Sequence, residues 1–155
     1  MRFKRSLVWT KPSYLGDAVM ATPMLDGLLE VSGQTSVLAT SAVRAMLADR
    51  PQLGFVEPGP EQGFWGPIRM ARWLRRERPD AVFLLNRSLR SAPGALLGGV
   101  RVRVGHATER RGALLTHSVA YGLDEPEIDC GLRLLRAVGI EPVGEVPSLK
   151  VTPEE

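Results

Sequence analysis

The apolar residues of this chain gather in short runs, and segments with apolar residues at every third or fourth position separate them. The fourth short run, DAVFLL, is continuously apolar, which is typical of a strand in a sheet that is covered on both faces. The fifth alternates arginine with valine, which predicts an edge strand with one solvated face. The short runs predict strands at residues 6–10, 35–39, 54–57, 80–85 and 101–105.

The longer segments carry the spacing of amphipathic helices. In the first of them Pro23 removes a helical hydrogen bond, so we expect a kink, or a restart with Thr22 as the cap. Strands that alternate with helices predict an α/β fold, a Rossmann-like parallel sheet of about five strands with helices on both faces. The predicted helices span residues 17–31, 41–50, 67–78, 88–97 and 125–138.

We expect one domain over residues 1–140, followed by a proline- and glutamate-containing linker over residues 141–155. The chain has 155 residues. Its formal net charge of +3 is small, so the positions of the charged residues are more informative than the total charge. Cys130 is the only cysteine, which excludes an intrachain disulfide and suits a reducing compartment. No apolar run approaches the roughly 20 residues of a membrane span, and the first is too short for a signal peptide. A cytoplasmic protein is therefore expected.

Several chemistries lack their sequence signatures. No glycine-rich GxGxxG or P-loop pattern is present, so no dinucleotide or other bound cofactor is predicted. The two histidines and the cysteine do not have metal-ligand spacing, so no metal site is predicted. No nucleic-acid-binding motif is present either, and a nucleic-acid partner is not expected.

The stretch TKPSYLGDAVMATPML, residues 10–25, carries the first candidate for chemistry. It leaves the first strand and opens a helix, and ligands of open α/β sheets bind at the carboxyl ends of the strands. Asp17 is the only acidic residue among the first 25. Its carboxylate could stabilise the helix N-terminus, or it could take a proton from a substrate hydroxyl. The residues alone leave both interpretations open.

Arginines follow the ends of strands four and five. NRSLRS, residues 86–91, comes directly after strand four, and HATERR, residues 106–111, follows strand five. Guanidinium groups bind phosphate and carboxylate well, so either loop could hold an anionic ligand. The same residues are also compatible with solvated arginines beside a capped helix, and this alternative stays open.

The segment 67–78 places four arginines within one arc of a helix, and apolar residues occupy the other side. Two aromatic residues, Phe64 and Trp65, precede it. A basic face bordered by aromatics suits the surface of an anionic membrane, although an ordinary amphipathic helix would have a solvated basic face as well. The predicted membrane contacts are Arg69, Arg72, Arg75 and Arg76.

Three stretches together resemble a known family. PSYLGDAVMATPML, LLNRSLRSA and VGHATERRGALLTH are similar to the ADP-heptose:lipopolysaccharide heptosyltransferases of glycosyltransferase family 9, and most similar to the heptosyltransferase II type. The resemblance runs from about Leu7 to Ile140. It implies the N-terminal half of a GT-B fold, in which this half holds the acceptor. A C-terminal domain, reached through residues 141–155, would bind most of the ADP-sugar donor.

The resemblance also implies roles for residues. Asp17 would be the catalytic base that activates an acceptor hydroxyl for attack on ADP-heptose with inversion. The acceptor would be the lipopolysaccharide inner core, at the cytoplasmic face of the inner membrane. The implied acceptor-binding residues are Ser13, Gly16, Arg87, Ser88, Arg90 and Arg110.

A second hypothesis belongs to another class of function. The chain could be a non-catalytic Rossmann-like module that binds a glycan or lipid and acts with a partner chain. No nucleotide-gripping lysine, acidic or glycine-rich feature of the family's C-terminal domain occurs within these residues. We therefore expect this half to be inactive as a transferase when it is alone.

Overall fold

The computed structural model describes residues 2–10, 15–86, 89–108, 110–122 and 124–149. These residues form one sheet of six parallel strands in the order β3-β2-β1-β4-β5-β6. The strands are β1 Phe3–Trp9, β2 Ser32–Leu38, β3 Leu53–Val56, β4 Ala81–Leu84, β5 Val102–His106 and β6 His117–Val119. The helices are α1 Leu15–Met20, α2 Thr22–Val31, α3 Ser41–Met46, α4 Gly66–Glu77, α5 Ser91–Leu97 and α6 Glu127–Ala137, with a 3-10 helix at Arg111–Leu114.

Helices cover both faces of the sheet, as predicted. All four residues of β4 are buried, and alternate residues enter different cores. Ala81 and Phe83 pack with α2, α3 and α6, whereas Val82 and Leu84 pack with α4 and α5. The two-residue repeat of a strand thus explains why this run is apolar throughout.

The strand order reverses between β1 and β4. The chain runs outward from β1 to β3, crosses back through α4, and continues outward from β4 to β6. Trp9 at the end of β1 lies opposite Leu84 at the end of β4. Open α/β sheets bind ligands in the crevice beyond such a reversal, so the loops after β1 and β4 occupy the position expected of a site.

The predicted restart at Pro23 is confirmed. Ala21 separates α1 from α2 and occupies the N-cap position, one residue before the Thr22 that we predicted. Pro23 lies in the first turn, where its missing N–H is not needed. The Thr22 hydroxyl instead donates to the Val19 carbonyl at 2.8 Å and so joins the two short helices.

The predicted edge position of strand five is wrong. β5 pairs with β4 on one side and with β6 on the other. Arg103 in β5 is half-buried, and its guanidinium donates to the carbonyls of Leu114 at 2.8 Å and Val100 at 2.7 Å. Arg103 therefore reflects local backbone partners and not an open edge. β6 has only three residues, two of them polar, so no hydrophobic pattern revealed it.

Residues 141–149 form no helix or strand but are fastened to the domain. Arg50 is 7% exposed and donates to Asp26 at 2.7 Å, to Asp49 at 3.0 Å and to the Ser148 carbonyl at 3.0 Å. The hydrogen bond with Asp26 is the main cause that raises the pKa of Arg50 above its usual value. Arg50 and its two aspartate partners therefore hold this segment against the domain. The linker role predicted for residues 141–155 stays a prediction.

Candidate functional site

The carboxyl ends of β1, β4 and β5 lie side by side and carry all the loops that the sequence singled out. Asn86 connects the first two, because its Nδ2 donates to the Trp9 carbonyl at 3.1 Å. Thr10 extends the connection to β2 through a 2.9 Å hydrogen bond to the Leu38 carbonyl. The loops that follow β1 and β4 therefore leave from neighbouring strand ends.

Asp17 lies in the first turn of α1, directly after the strand-one loop. Its side chain is partly exposed, and its carboxylate has no hydrogen bond or ion pair with any residue that the structure describes. Gly16 beside it is exposed, and a Cβ added there would meet no atom of the described residues within 4 Å. None of the described residues therefore packs against Gly16 in a way that would require a glycine at this position.

The strand-four loop is only partly described. Ser13, Arg87 and Ser88 lie outside the described residues, so their predicted acceptor contacts remain predictions. Arg90 is exposed at the start of α5, and its Nη2 donates to the carbonyl of Gly63 in the loop before α4. Helix α5 begins at Ser91, later than the predicted residue 88.

Arg110 and Arg111 are adjacent in sequence but differ completely in environment. Arg110 is exposed, has a left-handed backbone with φ of 61°, and makes no side-chain hydrogen bond to a described residue. Arg111 is 0% exposed. A left-handed non-glycine residue costs on the order of 1–3 kcal/mol and is more frequent at functional sites. Arg110 is thus presented to solvent at the carboxyl rim, and its predicted contact with the acceptor stays a prediction.

Arg111 organises a buried polar network that sequence analysis missed. Its Nε donates to the His106 carbonyl at 2.8 Å, and its Nη2 donates to the Asn86 carbonyl at 2.8 Å. Its Nη1 donates to the Ser91 hydroxyl at 3.0 Å, and that hydroxyl donates to Asn86 Oδ1 at 2.6 Å. A Cβ at Gly105 would approach Arg111 Nη2 to 3.3 Å. One guanidinium therefore holds the ends of β4 and β5 and the start of α5 in register.

We expect Arg111→Met to lower the free energy of unfolding by roughly 2–4 kcal/mol. The substitution leaves the buried carbonyls of Asn86 and His106 without these donors, and an unsatisfied buried polar group costs about 1–3 kcal/mol. Urea denaturation of the purified chain measures this change. Arg110→Met is the matched control, because it removes the neighbouring exposed guanidinium and should change stability by less than about 0.5 kcal/mol. Equal effects of the two substitutions would contradict the network.

The arginine face of α4 is also present. Met70, Ala71 and Leu74 are buried against the sheet, as the helical spacing predicted. The opposite face exposes Arg69, Arg72, Arg75 and Arg76.

Other features are located away from the carboxyl rim. A cavity of about 330 Å³ lies between α4 and the exposed part of β1–β3, and none of the predicted site residues that the structure describes lines it. Within the described residues, no group of three or more histidine, cysteine, aspartate or glutamate side chains could hold a metal ion. No helix in the same part of the chain is long and apolar enough to cross a membrane.

Comparison with solved structures supports the fold. The structure of E. coli ADP-heptose lps heptosyltransferase II is similar to this chain with a TM-score of 0.71 and 22% identity, over 96% of this chain and 47% of that one. A glycosyl transferase family 9 protein from Veillonella parvula gives a TM-score of 0.67 and 17% identity, over 90% and 42%. E. coli heptosyltransferase WaaC with ADP gives a TM-score of 0.60 and 16% identity, over 87% of this chain and 47% of that one.

The chain has the fold of the N-terminal half of these glycosyltransferases. The fold implied by the sequence resemblance, half of a GT-B enzyme, is thereby confirmed. The chain spans less than half the length of each of the three structures. No protein-family model and no curated protein matches the sequence.

Proposed function

We propose that the chain is the acceptor-binding half of an inverting glycosyltransferase that moves heptose from ADP-heptose to the lipopolysaccharide inner core. The observation that carries this proposal is the position of Asp17. Its carboxylate lies after β1, at the reversal of strand order. No described residue forms a hydrogen bond with it. Solved heptosyltransferases share this fold over most of the chain.

In the proposed reaction Asp17 accepts the proton of an acceptor hydroxyl. The hydroxyl oxygen then forms a bond to the anomeric carbon of the heptose, and the bond from that carbon to ADP breaks. ADP leaves with the bonding electron pair, and the anomeric centre is inverted. A partly exposed carboxylate that no described residue binds suits this role, since an acceptor hydroxyl can reach it.

The remaining rim residues would bind the acceptor. Arg110 presents its guanidinium to solvent beside the strand-four loop, where it can pair with the phosphates of an anionic acceptor. Gly16 would leave clearance for a sugar ring next to Asp17, because no atom of the described residues would lie within 4 Å of a Cβ added at Gly16. Further acceptor contacts are proposed for Ser13, Arg87, Ser88 and Arg90.

The proposed location is the cytoplasm, at the surface of the inner membrane where a lipid-linked acceptor resides. The exposed arginine face of α4, formed by Arg69, Arg72, Arg75 and Arg76, supports this location. Basic side chains close to an anionic leaflet contribute about 1 kcal/mol each to binding.

A transfer assay on the two-domain protein tests the proposed function. The chain, joined to its own or a heptosyltransferase's nucleotide-sugar domain, should transfer heptose from ADP-heptose to a heptose-free inner-core acceptor, detected by mass spectrometry. Transfer from another ADP-sugar only would keep the glycosyltransferase proposal but reject heptose as the donor sugar. Acceptor binding without transfer from any donor would favour the non-catalytic module instead.

A further inference from the structure

Four large apolar side chains are exposed where the loop before α4 meets the start of α5. Phe64 is 87% exposed and Trp65 61%, whereas Ile68 and Leu89 are 42% and 44% exposed. We call these four residues the aromatic edge. Single exposed apolar residues are normal, but a group of large ones with polar neighbours marks an interaction surface.

The aromatic edge is held in place by backbone contacts. Arg69 Nη2 donates to the Gln62 carbonyl, and Arg90 Nη2 donates to the Gly63 carbonyl. A Cβ at Gly66 would lie 2.1 Å from the Glu61 carbonyl oxygen, so the turn closes only with glycine. Phe64 and Trp65 pack edge to face, with ring centroids 5.2 Å apart. Their exposure is therefore built into a tight turn before α4, which Arg90 connects to the start of α5.

Positive charge lies next to the aromatic edge along α4. Arg69 donates to the Gln62 carbonyl, and Arg75 Nε donates to the Leu97 carbonyl at 2.8 Å. Arg72 and Arg76 are exposed and form no hydrogen bond or ion pair with any described residue. The surface thus combines an apolar tip with uncompensated guanidinium groups.

We infer that the aromatic edge inserts into the interfacial layer of an anionic bilayer, while Arg72 and Arg76 contact lipid phosphates. Tryptophan and phenylalanine beside basic residues suit this layer, which is apolar on one side and charged on the other. A standard protein–protein interface takes about 20–30 residues from each partner, many more than this edge supplies. Charge complementarity and the size of the edge both favour a bilayer over a protein.

The inserted edge would also set the orientation of the domain. It lies at the carboxyl end of the sheet, where α4 and α5 begin, and this end carries Asp17 as well. Insertion there would bring the carboxyl end of the sheet, with Asp17, to the membrane surface, within reach of the sugars of a lipid-linked acceptor. This last step rests on the proposed function, whereas the insertion itself does not.

Intrinsic fluorescence of the chain with vesicles tests the insertion. Trp65 is 61% exposed, Trp9 is 5% exposed and Trp73 is half-buried, so Trp65 should dominate any change. On vesicles of phosphatidylethanolamine and phosphatidylglycerol we expect a blue shift, and quenching by brominated lipid. Trp65→Phe should abolish the shift and keep the binding. Absence of a shift in the unsubstituted chain would overturn the inference.

Two sets of variants assign the binding energy, after circular dichroism has shown that each is folded. The triple variant Phe64→Ser, Trp65→Ser and Ile68→Ser should weaken vesicle binding at least about tenfold. Arg72→Gln with Arg76→Gln should weaken it roughly 30-fold on anionic vesicles, with little effect on phosphatidylcholine.

Matched controls come from other surfaces of the molecule. Val146, 79% exposed, lies in the segment that follows α6, and Arg101 is exposed at the amino end of the sheet. Val146→Ser and Arg101→Gln should leave vesicle binding unchanged, and equal losses in these controls would overturn the inference. Self-association that the triple serine variant removes in the absence of lipid would also overturn it, because the edge would then be a protein interface. These vesicles contain no acceptor and no donor, so insertion can fail or succeed independently of sugar transfer.

Discussion

Residues 1–155 alone are expected to fold but to transfer no sugar. Transfer requires that donor and acceptor are held in contact, and this orientation can supply roughly 7–11 kcal/mol of the barrier, or about 10⁵–10⁸ in rate. The described part of the chain contains the sheet and both cores, whereas no glycine-rich phosphate loop occurs in the sequence. The donor should therefore bind weakly to this half, because the features that would grip its diphosphate are absent.

Calorimetric titration with ADP and a transfer assay on residues 1–155 measure this expectation. The matched positive control is the same chain with a nucleotide-sugar domain, fused or added as a separate chain, which should restore turnover. Micromolar ADP binding or turnover by residues 1–155 would show that the donor site had been assigned to the wrong half. Failure of the isolated chain to fold would contradict the domain boundaries predicted from the sequence.

Asp17→Asn in the two-domain protein is expected to reduce turnover by roughly 10²–10⁴-fold, the usual contribution of a positioned general base. The amide keeps the size of the side chain but cannot accept the proton of the acceptor hydroxyl. Folding should be nearly unchanged, because loss of a charge at a helix N-terminus costs only about 0.3–1 kcal/mol. Steady-state transfer rates and thermal unfolding of the same preparations separate the two effects.

Asp129→Asn provides the control for the structural interpretation of Asp17. Asp129 is the third residue of α6, as Asp17 is the third residue of α1, and both carboxylates lie in a first turn. The two substitutions should therefore have similar small effects on stability. Only Asp17→Asn should affect turnover, and near-normal turnover of that variant would leave Asp17 as a helix-terminal carboxylate without a catalytic role.

The local pattern of the sequence was enough to predict the α/β class and most of its elements. The continuous run at residues 80–85 predicted a strand buried on both faces, and β4 is buried on both. The proline at position 23 predicted the break between α1 and α2. These predictions succeeded because burial along a strand or helix repeats with a short period, so one segment carries the whole signal.

The composition of the candidate site depended on contacts that no local pattern contains. Arg110 and Arg111 are the same residue type at adjacent positions, yet one is exposed and the other is completely buried. The difference arises because the partners of Arg111 include Asn86, which is 25 positions earlier in the chain. β6 was missed for a similar reason, since its three residues are a strand only through their pairing with β5. The sequence by itself determined which loops reach the carboxyl rim and that Asp17 is among them. Only the tertiary structure decided which arginines of those loops are exposed to solvent and which hold the fold, because that choice depends on hydrogen-bond partners far apart in sequence.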